Sequence, residues 1–111
     1  MQTLHDEAGF SKRLTEQLAY VRSGEVDLTQ RQLAVLLLIC ETSKILMVRD
    51  IARMLDVAKP VVTRAVVTLA GHGFACKRRD FEDRRDMAPR PTEQGHAYVQ
   101  RLARLGAITP E

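Results

Sequence analysis

Apolar residues recur along most of this chain at intervals of three and four, the spacing of helices that bury one face. Leu4, Ala8, Leu14, Leu18 and Val21 predict a first helix from Leu4 to about Arg22, interrupted at Gly9 and ended by Ser23-Gly24. Thr29 followed three residues later by Gln32 forms a capping box, which opens a second helix running to about Glu41. Its centre, LAVLLLIC, is apolar on nearly every side and marks the helix around which a core is built. From Val48, the positions Ile51, Ala52, Met54 and Leu55 predict a short third helix, broken at Asp56-Val57-Ala58. Pro60 then stands in the first turn of a fourth, where a proline is tolerated, and Val62, Ala65, Val66 and Leu69 give that helix its inner face before Gly71 and Gly73 stop it. The period changes to two at Phe74–Asp80, read as a strand with Phe74 and Cys76 on one face and Ala75 and Lys77 on the other. The charged run FEDRRD forms a solvent-exposed hairpin tip, and Met87–Pro91 returns as a ragged strand confined to an edge, because Pro89 and Pro91 lack ladder donors. Thr92 caps a final helix to about Leu105.

The expected fold is therefore mainly α with a small β-hairpin. A helix of about eight residues and one of about thirteen, joined by a turn of three or four, is the helix-turn-helix arrangement, and the hairpin after it makes a winged form. One domain over 1–111 is expected, with an N-terminal helix and linker at 1–27, the winged helix-turn-helix at 28–91 and a C-terminal helix and tail at 92–111. On the second helix of the pair, Lys59, Val61, Thr63, Arg64 and Thr68 fall mostly away from the inner face, and such a face can reach phosphates and base edges. Met47 and Ala58 stand where Ser, Thr or Asp would cap the two helices.

Charge strengthens that reading because of where it sits. The formal net charge of +3 is modest, yet residues 59–90 hold 8 Lys/Arg against 4 Asp/Glu, whereas residues 1–58 hold 7 against 8. A basic segment on a near-neutral body points to a polyanionic partner, and Lys77, Arg78 and Arg79 form a run suited to phosphate contacts. Cys40 and Cys76 are 36 residues apart in apolar surroundings, unlike a disulfide framework or a zinc cluster, so burial is expected for both; a redox role for Cys76 beside Lys77 and Arg78 stays open. His5, His72 and His96 are dispersed, with no pair at metal-ligand spacing. Phosphate-loop, nucleophile-elbow and zinc-protease motifs do not occur, so neither an enzyme nor a cofactor is expected. The longest apolar run, Leu33–Cys40, is too short to span a bilayer, and the opening MQTLHDEAGF lacks a signal pattern; a cytoplasmic protein is expected.

The segments LTQRQLAVLLLI, VRDIARMLDVAKPVVTRAVVTLAGHGF and CKRRDFEDRRD followed by PTEQG, in that order over about Leu28 to Leu105, resemble the multiple-antibiotic-resistance regulator (MarR) family of winged-helix repressors. The resemblance implies a recognition helix at about 59–70 with Lys59, Pro60, Val61, Thr63 and Arg64 facing the major groove. It also implies a wing at about 78–90 whose Arg85 enters the minor groove while Asp83 holds the loop. Arg84, Thr68, Lys77 and Arg79 complete the expected contact set. Pro91 replaces the apolar strand residue usual before the final helix. The family dimerises through helices at both chain ends, so a homodimer is expected, although this chain carries one or two fewer helices at its end than that pattern.

The reading that follows is a sequence-specific regulator of double-stranded DNA, a repressor acting by occlusion. The operator, the effector and the regulated genes are not written in the residues. A winged helix used for protein interaction, or a replication or partition component with only nonspecific DNA binding, is the competing class. It would present larger apolar side chains than Val61 and Val62 beside Lys59, Thr63 and Arg64.

Overall fold

The computed structural model describes residues 7–79 and 87–108. Among them run α1 (Glu7–Arg22), α2 (Gln30–Glu41), α3 (Val48–Leu55), α4 (Lys59–Gly71), β1 (Ala75–Arg79), β2 (Met87–Pro91) and α5 (Glu93–Ile108). The mainly helical winged architecture follows the sequence closely, with α5 three residues longer than expected. Two compact units divide the chain, Leu28–Tyr98 and the pair of segments Met1–Asp27 and Val99–Glu111.

In the unit Leu28–Tyr98, the Thr29 hydroxyl accepts from the Gln32 amide at 3.1 Å and the Gln32 side chain accepts from the Thr29 amide at 3.0 Å, so the reciprocal capping box forms. Val35, Leu36 and Ile39 of α2 are buried, as are Val48, Ile51 and Ala52 of α3 and the whole expected inner face of α4, Val62, Ala65, Val66 and Leu69. Every one of these α4 positions lies on the three-to-four spacing that a helix needs to press one stripe against a core. Phe74 and the fully buried Tyr98 stack with ring centroids 4.5 Å apart and close the core at the base of the hairpin.

The hairpin pairs antiparallel from Ala75↔Pro91 to Arg79↔Met87, a regular ladder despite its prolines. Standing two residues apart, Pro89 and Pro91 turn the same edge of the strand, so Ala88 and Arg90 between them can carry the donors toward β1. The expected alternation fails on β1. Phe74 and Ala75 are both buried, whereas Cys76, Lys77 and Arg78 are all exposed. On β2, Ala88 and Pro89 are both buried, so burial in this hairpin does not follow strand alternation. The expected burial of Cys76 is thus corrected, while Cys40 is half-buried and burial, with the nearby Glu41 charge, holds its thiol above the ordinary range.

The first turn of α5 ties the hairpin down. The Thr92 hydroxyl accepts from the Gly95 amide at 3.0 Å and donates to the Gly73 carbonyl at 2.5 Å, while the Thr92 amide donates to the Phe74 carbonyl at 3.1 Å. A Cβ at Gly95 would collide with that same Phe74 carbonyl, which is why glycine stands there. The Thr92–Gly95 motif is therefore a structural clasp that fixes where the wing leaves the core.

The segments Met1–Asp27 and Val99–Glu111 form their own contacts. Arg101 grips Glu25 with two donors, Nε at 2.5 Å and Nη2 at 3.0 Å, and this hydrogen bond holds the Glu25 carboxyl below the ordinary 4.5 despite some desolvation. The Tyr20 hydroxyl donates to the Val26 carbonyl. Leu14, Leu18 and Val21, one turn apart along α1, are 51%, 46% and 70% exposed.

Candidate nucleic-acid interface

The direction of α4 is set by the turn before it. Asp56 adopts the left-handed conformation, φ 55° and ψ 49°, the single positive-φ non-glycine position among the described residues, and a short polar side chain tolerates it better than most. The Asp56 amide donates to the Ala52 and Arg53 carbonyls, and the Val57 amide reaches the Ala52 carbonyl at 3.0 Å, closing α3 with a tight turn. The start of α3 is better served than the sequence suggests. Met47 offers no side-chain cap, but Asp50 reaches back to the Met47 amide at 3.0 Å, half of a capping box supplied from the third helical position. Ala58 gives α4 no side-chain cap, and the helix opens Lys59-Pro60, where proline forfeits no intrahelical donor.

With Val62, Ala65, Val66 and Leu69 turned to the core, helical rotation of about 100° per residue puts Pro60, Arg64, Val67 and Gly71 on the opposite, outermost stripe. Lys59 and Thr63 flank it on one side, and Val61 and Thr68 on the other. Lys59, Pro60 and Arg64 are exposed, while Val61, Thr63 and Thr68 are half-buried. The Thr63 hydroxyl donates back to the Lys59 carbonyl at 3.2 Å, which leaves its oxygen free to accept. Among the described residues no carboxylate pairs with Arg64. The face is a cationic ridge with small hydroxyls at its flanks, suited in size to a groove about 12 Å wide.

The six α4 residues named from the sequence are brought together on this ridge. Lys77 is exposed on β1, as is Arg78 beside it, on the strand that follows the helix. The side chain of Arg79 and the tip residues Asp83, Arg84 and Arg85 lie outside the described residues. Val67, 49% exposed on the outer stripe, is absent from the sequence-based set. Its signal was available, because it stands three residues after Arg64 and four after Thr63, but an apolar residue in a largely apolar helix reads as core until the buried stripe is fixed.

A recognition-type helix held over a tight turn, followed by a two-stranded wing clasped at its base, defines a winged helix-turn-helix protein. The sequence pattern of the MarR family matches residues 28–87, more than half of the chain, and the protein belongs to that family of transcriptional regulators. Among solved structures it is similar to the YusO protein of Bacillus subtilis, with a TM-score of 0.77 at 19% identity over 96% of this chain and 72% of that one. It is similar as well to the transcriptional repressor CouR of Rhodococcus jostii in complex with a 23-mer DNA duplex, with a TM-score of 0.73 at 24% identity over 98% of this chain and 74% of that one. A third likeness is to ZitR of Lactococcus lactis, with a TM-score of 0.65 at 27% identity over 77% and 57%. A search of curated proteins finds no match. Among the described residues no helix is long and apolar enough to cross a membrane, and no cluster of His, Cys, Asp or Glu is arranged to hold a metal ion.

Proposed function

We propose that this protein is a cytoplasmic, sequence-specific regulator that binds double-stranded DNA as a homodimer and represses by occupying the promoter. The observation that carries the reading is the outer face of α4, where Pro60 and Arg64 are exposed opposite a buried stripe and Lys59 is exposed at their flank. The likeness to a repressor structure that contains DNA supports it.

In this reading α4 enters the major groove, and Arg64 offers the fork of donors that pairs with guanine O6 and N7. Lys59 and Thr68 contact or approach the phosphates beside it. The wing reaches the adjacent minor groove, where Arg85, flanked by Arg84 and oriented by Asp83, meets the negative potential of a narrow groove. Lys77 and Arg79 add backbone contacts, which fix register without reading sequence. The exposed Leu14, Leu18 and Val21 of α1 supply apolar surface for a second copy. No enzymatic step belongs to this account, since repression by occlusion needs only occupancy.

Selection of bound duplexes from a random pool at near-physiological salt tests it. The expected product is an inverted repeat with half-sites about one helical turn, roughly 34–36 Å, apart. An unenriched pool, with binding that vanishes as salt rises, would overturn the reading in favour of nonspecific association.

A further inference from the structure

The chemistry of the outer α4 stripe limits what it can read. Of Pro60, Arg64, Val67 and Gly71, only Arg64 carries a hydrogen-bonding side chain. The paired amide contacts that read adenine and the carboxylate contact that reads cytosine have no Asn, Gln, Asp or Glu to make them anywhere from Lys59 to Gly71. What the stripe does offer besides a guanidinium is an apolar, β-branched side chain held half in solvent, Val67 at 49% exposure, while its neighbours Val62 and Val66 are at 0% and 1%. The base feature complementary to such a group is the C5-methyl of thymine.

We propose that Val67 is a specificity-determining residue that packs on a thymine methyl in each half-site, next to the base pair read by Arg64. The inference rests on the reading that α4 lies in the major groove. Three residues of helix advance about 4.5 Å along the axis, and bases on one strand advance about 3.4 Å, so Arg64 and Val67 address neighbouring steps. The core of the half-site is accordingly a guanine beside a thymine. Val67 is rigid about its first side-chain torsion, so the contact needs little ordering when the complex forms. The stripe ends at Gly71, which has no side chain to extend the readout further.

The test uses the full chain and its selected duplex, with each thymine replaced in turn by deoxyuridine, a change that deletes one methyl and leaves base pairing intact. Binding by the parent should weaken about fourfold at one thymine position per half-site, the scale of one buried methyl. Val67→Ala should bind the thymine duplex more weakly and lose that sensitivity, with the Arg64-dependent guanine preference retained. Alanine is the better helix former, so the variant keeps α4. If no deoxyuridine substitution weakens the parent, or if the same position stays equally sensitive in Val67→Ala, the inference is overturned while the DNA-binding reading stands. Failure of the parent to select any duplex would overturn the reading beneath it instead.

Discussion

The unit Leu28–Tyr98 and the unit made of Met1–Asp27 with Val99–Glu111 solve the same packing problem differently. The first closes a core within itself, with Leu36, Ile51, Val62, Leu69 and Tyr98 all at 0% exposure, and side-chain hydrogen bonds serve the starts of α2, α3 and α5. The second keeps three large apolar residues of α1 about half exposed or more, and a prominent internal tie is the ion pair of Glu25 with Arg101, whose side chains are 18% and 40% exposed. A surface built for DNA needs a rigid base, because base contacts depend on placement within fractions of an ångström. In the proposed dimer, an element that pairs with a second copy can leave its apolar side chains open until that copy arrives.

The largest expected effect lies in the first unit. Leu69→Ala should lower the unfolding free energy by about 2 to 5 kcal/mol, since it opens a cavity under α4; an unchanged melting temperature would break the claim that this stripe anchors the helix. Next comes Arg85→Ala, expected to weaken binding to the selected duplex by about 1 to 3 kcal/mol with little thermal effect, and equal affinity for variant and parent would remove the wing from the interface. Thr92→Ala, which releases the clasp on Gly73 and Gly95, should destabilise by about 0.5 to 2 kcal/mol in chemical denaturation. In the second unit, Leu18→Glu should shift sedimentation toward the monomer and weaken DNA binding at low protein concentration, while the helical signal of the isolated chain persists. Acid gives the smallest change. The carboxyl of Glu25 titrates below 4.5 in the folded protein, so its pairing stabilises at pH above that value and is lost as pH falls through the folded pKa. Arg101→Leu should flatten that part of the stability profile without altering DNA binding near neutrality.

Much of this was legible in the sequence because local chemistry and tertiary packing agree there. Thr29 with Gln32, Pro60 in the first turn and the Val62–Leu69 stripe each state a local preference that the fold then uses. The residues that misled are those whose environment is set by distant parts of the chain. Cys76 looks buried by strand alternation, which neither strand of the hairpin follows. Met47 reads as a missing cap, yet the carboxylate of Asp50 accepts from the Met47 amide and serves that helix start. Val67 reads as core until four other apolar residues have claimed the buried stripe. The family motif Thr92–Gly95 was visible, but its role as a clasp emerged only once Phe74 and Gly73 were seen to meet it.

The most direct measurement compares Arg64→Ala with the parent on the selected duplex and on the same duplex with its half-sites scrambled, alongside melting curves for both proteins. A guanidinium reading base edges predicts that the variant loses most of the parent's preference for the selected site, about 10- to 100-fold, at an unchanged melting temperature. A variant that keeps the full preference would contradict the account, because α4 could not then be the element that reads DNA.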